Sequence, residues 1–418
     1  MIATVRPARR LDGAIRVPGD KSISHRALIL GSIASGRSHL RGLSPGADVQ
    51  STARCVQELG AQFDGSTLDA SGMRGLHAAG GPLDCGNSGT SMRLLAGLLA
   101  AQAFESELIG DESLSRRPMD RVVAPLSEMG ALASWPPLRV GGRTTLHGFS
   151  YTMAAPSAQV KSAILIAALF GDGPTSVTEP IRTRDHTELM LRAMGAGVEI
   201  EELRVTVEPA DRLEPLDIDI PGDLSSAAFW LVAAGLIPGS RVRLEAVGVN
   251  PTRTAFINLL VGCGFQIRFS NPRFAGGEPV ADLQVTPAVG LRSIQISGGM
   301  AAEMIDELPV LAVAATQMPG RTVISGAGEL RVKESNRIEA MEEGLTSMGA
   351  DITGTDDGWV INGPRYLEGA RVSAHGDHRI AMALAVAGLI ADGRTEIDGA
   401  ECVEISYPDF FDHLEYLC

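Results

Sequence analysis

Six times along the chain a polar turn opens directly into an apolar run. The turns read GDKSISHR, CGNSGTSMR, PSAQVKS, GDLSSAA, MIDELPV and GDHRIAM, and the runs behind them are rich in Ala and Leu, as in ALILGSIA or IAMALAVAGLI. Apolar runs of this length with little polar face predict buried helices. They begin near Ser22, Ser88, Ser157, Ser225, Glu307 and His378. A second pattern runs between them: a helix ends in Gly-Ala or Gly-Phe and an alternating strand follows, at ELGAQF, EMGALA, AMGAGVEI, GCGFQI and SMGADI. Gly60, Gly130, Gly195, Gly264 and Gly349 are the predicted helix terminators, because glycine accepts the left-handed backbone such ends need. Ahead of each lies one cassette: polar turn, Ala/Leu helix, Gly, strand, charged turn, second helix. Six cassettes make two halves of three.

A longer echo agrees with a duplication. IRVPGDKSIS at 15–24 is matched by IDIPGDLSSA at 218–227, about half the chain further on. Each reads as an alternating strand, a Pro-Gly-Asp turn and a helix start, with Asp20 and Asp223 as caps or turn residues; Ser22, and Ser88 in the CGNSGTSMR turn, are read as simple N-caps. The last cassette stops after its second helix, FFDHLEYLC, without terminal strands, so the N-terminal strands are expected to complete it. The expected organisation is a discontinuous domain of residues 1–17 plus 222–418, a second domain of 18–221, and a hinge at 17–20 and 220–223.

Composition narrows the class. In 418 residues, 44% are hydrophobic, only 4% aromatic, and 48 are Gly. That suits an α/β protein with tight helix packing, not a β-sandwich. The net charge of -14 argues against a nucleic-acid or anionic-membrane partner, although a pocket can still be locally basic. Cys55, Cys85, Cys263, Cys402 and Cys418 form no C-x-x-C pair, and a reduced, cytoplasmic protein is expected. The start of the chain, MIATVRPARRLDGAI, carries no apolar segment of a secretory signal.

The candidate chemistry sits where the helices start. Helix N-termini offer unpaired N–H groups and partial positive charge, and so favour anions. Lys21 and Arg26 are disfavoured in such a turn unless they reach water or an anion arrives. His25 is read as structural. CGNSGTSMR resembles a phosphate cradle but lacks the Gly-Lys-Ser/Thr of a P-loop, and the G-x-G pairs lack a third Gly. The eight His show no metal-ligand spacing. ELRVKESNRIEAM packs Lys333, Glu334 and Arg337 into what reads as one helical turn, with Lys333 and Arg337 on a shared face. Asp306 stands at the mouth of an apolar helix, unusual unless it caps or catalyses. Arg117 and Arg184 fall in turns between strand and helix.

Together PGDKSISHRALILGSIASG, CGNSGTSMRLLAG, RRPMD, SAQVKSAIL, IRTRDHTE, IDELPVLAVAA, RVKESNRI and GDHRIAMALAVAG resemble the 5-enolpyruvylshikimate-3-phosphate synthases, among the enolpyruvyl transferases. The blocks span essentially the whole chain in family order. The resemblance implies two similar α/β domains, each of three βαβαββ units with pseudo-threefold symmetry like an inverse α/β barrel, with the active site in the interdomain cleft. It implies transfer of enolpyruvyl from phosphoenolpyruvate to shikimate 3-phosphate, no metal or organic cofactor, and a monomer. Shikimate 3-phosphate would be held by Lys21, Ser22, Arg26, Ser157, Ala158, Gln159, Arg184, Asp306 and Lys333. Phosphoenolpyruvate would be held by Lys21, Asn87, Gly89, Thr90, Arg117, Gln159, Arg337 and Arg379. The catalytic set would be Asp306, Glu334, Lys333 and Lys21. Gly89 falls where added bulk would crowd phosphoenolpyruvate or the inhibitor glyphosate.

Three positions depart from the family pattern: Ala158 where some members have a second Ser, Leu94 where others have Pro, and Ile405 where some carry a Lys. Two other readings compete. A related transferase acting on a UDP-sugar typically has Lys-Asn at the first helix and a loop Cys, against Lys21-Ser22 and the Cys-free GDESLSRRPMDR here. A pure anion-binding scaffold would gain nothing from Asp306 and Glu334.

Overall fold

The computed structural model describes residues 1–142 and 145–418. The chain forms two compact units. One holds Met1–Pro18, Gly222–Arg273 and Pro279–Cys418, and the other holds Gly19–Pro221 and Phe274–Glu278. The chain thus passes between units at 18/19 and 221/222, and again at the tip of one hairpin, which the sequence pattern does not announce.

The Gly19–Pro221 unit carries helices α1 (Lys21–Gly31), α2 (Ala47–Glu58), α3 (Gly89–Leu99), α4 (Glu112–Ser115), α5 (Asp120–Glu128), α6 (Ala158–Ala168) and α7 (His186–Ala193). The other unit carries α8 (Leu224–Leu236), α9 (Ala255–Gly262), α10 (Gly299–Glu303), α11 (Leu308–Ala315), α12 (Arg337–Ser347), α13 (His378–Ile390) and α14 (Phe410–Leu417). In each unit the apolar first helices meet one another, α3 with α1 and α6, and α8, α11 and α13 mutually. That placement explains their all-round hydrophobicity. Leu28, Leu95 and Ile164 in one core, and Leu231, Val313 and Ala385 in the other, are fully buried.

Among the described residues, five small sheets have four strands and a sixth has three. The second cassette shows the plan: Leu83–Asp84 pairs parallel with Glu105–Ile109, and Leu138–Gly141 then pairs antiparallel with it and with Leu132–Ser134. The two leading strands of the long echo are exchanged between sheets. Asp12–Ile15, which precedes α1 in sequence, pairs parallel with Arg241–Gly248 behind α8. Asp217–Asp219, which precedes α8, pairs parallel with Ser35–Arg41 behind α1. Of the N-terminal strands, only Ile2–Val5 joins the last cassette, antiparallel to Thr395–Asp398. The expectation that both would complete it fails because Asp12–Ile15 instead pairs beside Arg241–Gly248 in the sheet of the fourth cassette.

The helix ends follow local chemistry. Gly60 and Gly349 close α2 and α12 at φ +109° and +87°, a conformation a Cβ would strain. Asp20 and Asp223 accept N-cap bonds from the amides of Ile23 (2.9 Å) and Ser225 (2.8 Å). Ser88 caps α3 through the Ser91 amide at 3.1 Å. Ser22 is not a cap, because Asp20 already fills that role and places Ser22 inside the first turn.

Helices α3 and α6 touch backbone to backbone. A Cβ at Gly97 would stand 2.2 Å from the Ala163 carbonyl oxygen, which cannot step aside. Gly97→Ala is expected to destabilise by about 2–3 kcal/mol despite its better helix propensity. Thermal melts should show a fall of roughly 4–12 °C; an unchanged melt would refute the close approach.

Candidate active site

In the Gly19–Pro221 unit the helix starts are stitched together by polar side chains. Lys21, in the first turn of α1, donates from Nζ to Asp48 Oδ2 at 3.0 Å in the first turn of α2. An acid there also complements the α2 dipole. Ser22 Oγ accepts from Arg184 Nη1 at 3.5 Å. Arg26 is buried and donates from Nη1 to the Ser22 carbonyl (2.8 Å), from Nε to Thr187 Oγ1 (2.7 Å) and from Nη2 to Ser162 Oγ (2.7 Å). Burial lowers its pKa to about 10, with Glu188 acting in the opposite direction, so it stays charged at neutral pH. Each Nη atom carries one N–H beyond these bonds.

The loop before α3 makes a second cluster. Asn87 accepts from Arg117 Nη2 at 2.6 Å and donates to Asp111 Oδ2 at 2.6 Å. Gln159, in the first turn of α6, donates to Thr90 Oγ1 (2.8 Å) and accepts from Arg93 Nη1 (2.8 Å). Ser157 caps α6 through the Val160 amide, and Ala158 opens the helix. A Cβ on Gly89 would meet Arg93 Nη1 at 2.7 Å and Arg117 Nη1 at 3.4 Å. Arg117 sits between α4 and α5, not between strand and helix. The residues after the strand Glu105–Ile109 form an extra short helix capped by Asp111.

His25 lies beneath this surface. Its Nδ1 meets Thr52 Oγ1 at 2.7 Å, Thr52 meets Ser91 Oγ at 2.6 Å, and Ser91 donates to the Asp48 carbonyl at 3.4 Å. Reading the donors back along this chain puts the proton on Nδ1 and leaves Nε2 as a lone pair, the cheaper buried state. Burial drops the His25 pKa to about 3, with Asp48 opposing. Its role is structural, as the sequence suggested.

The other unit gathers carboxylates around one guanidinium. Arg337, 1% exposed, donates to Asp377 Oδ2 (2.7 Å) and Glu334 Oε2 (2.6 Å) and lies 3.5 Å from Asp306 Oδ1. Burial alone would lower its pKa, but Asp377, Glu334 and Asp306 together raise it. Arg379, in the first turn of α13, donates to the Asp306 carbonyl at 3.1 Å and lies 3.7 Å from its Oδ2. Asp306 occupies the turn between α10 and α11.

Lys333, Glu334 and Arg337 do not share a helical turn. Residues Gly328–Val332 form a 3-10 helix, Lys333 has an extended backbone, and α12 starts only at Arg337 behind the Asn336 cap. Ser335 and Asn336 favour such caps over helix interiors, which is why the helical reading fails. Lys333 lies 3.6 Å from Glu329.

Three participants were not singled out from sequence. Arg93 lies four residues from Gly89, and that spacing was an available signal. Asp377 caps α13 and grips Arg337. Asp48 pairs with Lys21 only through tertiary contact. Among the described residues no group of three or more His, Cys, Asp or Glu could hold a metal, and no helix is long and apolar enough to cross a membrane.

Guanidinium and ammonium groups at helix starts in one unit, and carboxylates clasped by arginine in the other, define an α/β enzyme equipped for polyanionic substrates. The profile of the EPSP synthase family (3-phosphoshikimate 1-carboxyvinyltransferase) matches residues 5–414. A 3-phosphoshikimate 1-carboxyvinyltransferase of Desulforudis audaxviator (strain MP104C) is 50% identical over 98% of both chains. One from Gloeobacter violaceus (strain ATCC 29082 / PCC 7421) is 49% identical over 98% of both. A solved EPSP synthase from Acinetobacter baumannii superposes with a TM-score of 0.91 at 42% identity, covering 100% of this chain and 98% of that one. The chain belongs to the EPSP synthase family.

Proposed function

We propose that this chain transfers the enolpyruvyl group of phosphoenolpyruvate to the 5-hydroxyl of shikimate 3-phosphate, the sixth step of the shikimate pathway towards chorismate and aromatic amino acids. What carries the reading, beyond family membership, is the single buried Arg337 shared by Asp306, Glu334 and Asp377. An anion binder has no use for carboxylates gathered at its guanidinium. A proton-transferring addition and elimination needs them.

Asp306 takes the proton of the 5-hydroxyl as its oxygen bonds to C2 of phosphoenolpyruvate. Glu334, with Lys333 beside it, supplies the proton to the methylene carbon, giving a tetrahedral ketal. The second step removes a proton from the new methyl group, restores the double bond and expels phosphate. Lys21, Ser22, Arg26, Ser157, Ala158, Gln159, Arg184, Asp306 and Lys333 form the shikimate 3-phosphate set. Lys21, Asn87, Gly89, Thr90, Arg117, Gln159, Arg337 and Arg379 form the phosphoenolpyruvate set. Residues 17–20 and 220–223 are assigned as the hinge segments of the chain. The enzyme works as a cytoplasmic monomer without metal or nucleic acid.

The test is phosphate release from phosphoenolpyruvate and shikimate 3-phosphate, with EDTA present. Release with UDP-N-acetylglucosamine instead would assign the chain to the UDP-sugar enzyme, and no release with either would leave the scaffold. Gly89→Ala supplies a finer check. The added methyl displaces Arg93 and narrows the space beside Arg117, and glyphosate is longer than phosphoenolpyruvate. Glyphosate Ki should rise about 100-fold against about 10-fold for phosphoenolpyruvate KM. Equal changes would refute the crowding account.

A further inference from the structure

The two Pro-Gly-Asp turns are alike in backbone and different in use. In the first, Ser22 sits beside Arg184. In the second, the equivalent Ser225 has turned its hydroxyl onto a carboxylate: Ser225 Oγ–H donates to Glu307 Oε1. Arg253, on the turn before α9, donates from Nη2 to Ser225 Oγ at 2.7 Å and lies 3.5 Å from Glu307 Oε1 and 3.6 Å from Asp223 Oδ1. Arg253, Ser225 and Glu307 are all buried, at 7%, 4% and 3% exposure. A buried arginine set between two carboxylates holds both in place, because either carboxylate alone would be costly there.

Glu307 immediately follows Asp306. Its amide donates to the Met304 carbonyl at 2.9 Å, closing a tight turn. Arg379 holds the Asp306 carbonyl from one side, and the Glu307 side chain anchors the next residue from the other. We propose that Arg253, Ser225 and Glu307 are positioning residues of this reaction, fixing the Met304–Glu307 turn so that the Asp306 carboxylate faces Arg337 and Arg379. The proposal rests on Asp306 being the group that takes the hydroxyl proton. None of the three touches a reacting atom. Their effect runs through the backbone of one turn, and a misplacement of about 1 Å at a reacting group can cost about 100-fold in rate.

Steady-state kinetics on the full chain separate the possibilities. Arg253→Leu should lower kcat about 10- to 100-fold while both KM values stay within about 3-fold, and Arg253→Lys should recover part of the loss. Should Arg253→Leu fail to fold, Glu307→Gln decides, since it keeps shape and the Ser225 bond but removes the charge that Arg253 grips. It should lower kcat about 3- to 10-fold at constant KM. Adding it to Asp306→Asn should cost nothing further in residual turnover, because the group being positioned is already gone. Undiminished kcat with only a lowered Tm, a rise in KM at constant kcat, or a full multiplicative loss on top of Asp306→Asn would each overturn the proposal. Undiminished turnover in Asp306→Asn itself would overturn the underlying assignment, whereas an inactive Asp306→Asn beside a fully active Glu307→Gln overturns the positioning role alone.

Discussion

Lys21→Met is expected to lower turnover by about a thousandfold or more while leaving the melting temperature nearly unchanged. Lys21 is assigned to both substrates, each bringing a phosphate and a carboxylate. Removing one preorganised donor aimed at developing charge typically costs about 100- to 1000-fold in rate, and here the lost group also carries a full charge. Stability is a separate matter. The Lys21–Asp48 pair is 28% and 19% exposed, so water screens it, and such pairs contribute about 0–1 kcal/mol. A cation in the first turn of α1 opposes the helix dipole, which offsets even that. The Tm should therefore move by no more than roughly 4 °C. A large fall in Tm would mean that lost folding, not lost chemistry, explains the inactivity.

Lys161→Met should do the reverse, with its main effect on stability. Lys161 is 1% exposed and lies 2.8 Å from Glu179 Oε2 and 2.7 Å from Glu188 Oε1, both carboxylates being equally hidden. Methionine fills the space but leaves two buried carboxylates facing each other. Breaking such a cluster costs about 3–5 kcal/mol, or roughly 10 °C in Tm. The pH dependence follows from Glu188, whose pKa burial raises above the ordinary carboxylate value with Lys161 opposing. A carboxyl raised in the folded state binds more protons folded than unfolded. Its contribution is complete below the unfolded pKa and is lost as pH rises through the folded one. Without Lys161 the folded value climbs further. The Tm deficit of Lys161→Met should therefore shrink as pH falls from 8 towards 5, and a deficit that widens on acidification would refute this account.

The same lysines show what can be read from sequence. Lys21 stands in a polar turn ahead of an apolar run, a local pattern that marks it without any fold. Lys161 follows SAQV in a similar setting, yet it is buried beneath the polar surface, pinned by residues 18 and 27 positions away. No local periodicity distinguishes the two. Arg93 and Asp377 stand within CGNSGTSMR and GDHRIAM, and only their distant partners, Gln159 and Arg337, reveal what they hold. The Lys333–Arg337 stretch misled in the opposite direction: its spacing suits a helix, but the Ser335-Asn336 cap starts the helix late.

Sequence alone determined the six buried helices, the five glycine stops, the Asp20 and Asp223 caps and the motif residues of the family. Each of these is set by chemistry within a few residues of itself. Tertiary structure decided which sheet received each leading strand, since the echoed segments IRV at 15–17 and IDI at 218–220 alternate alike and only long-range pairing separates the strands Asp12–Ile15 and Asp217–Asp219. It also decided the partners of the buried charges: Asp48 for Lys21, Asp377 for Arg337 and Arg253 for Glu307. A buried charge must find its counter-charge wherever packing brings one, and that is fixed by how distant segments meet.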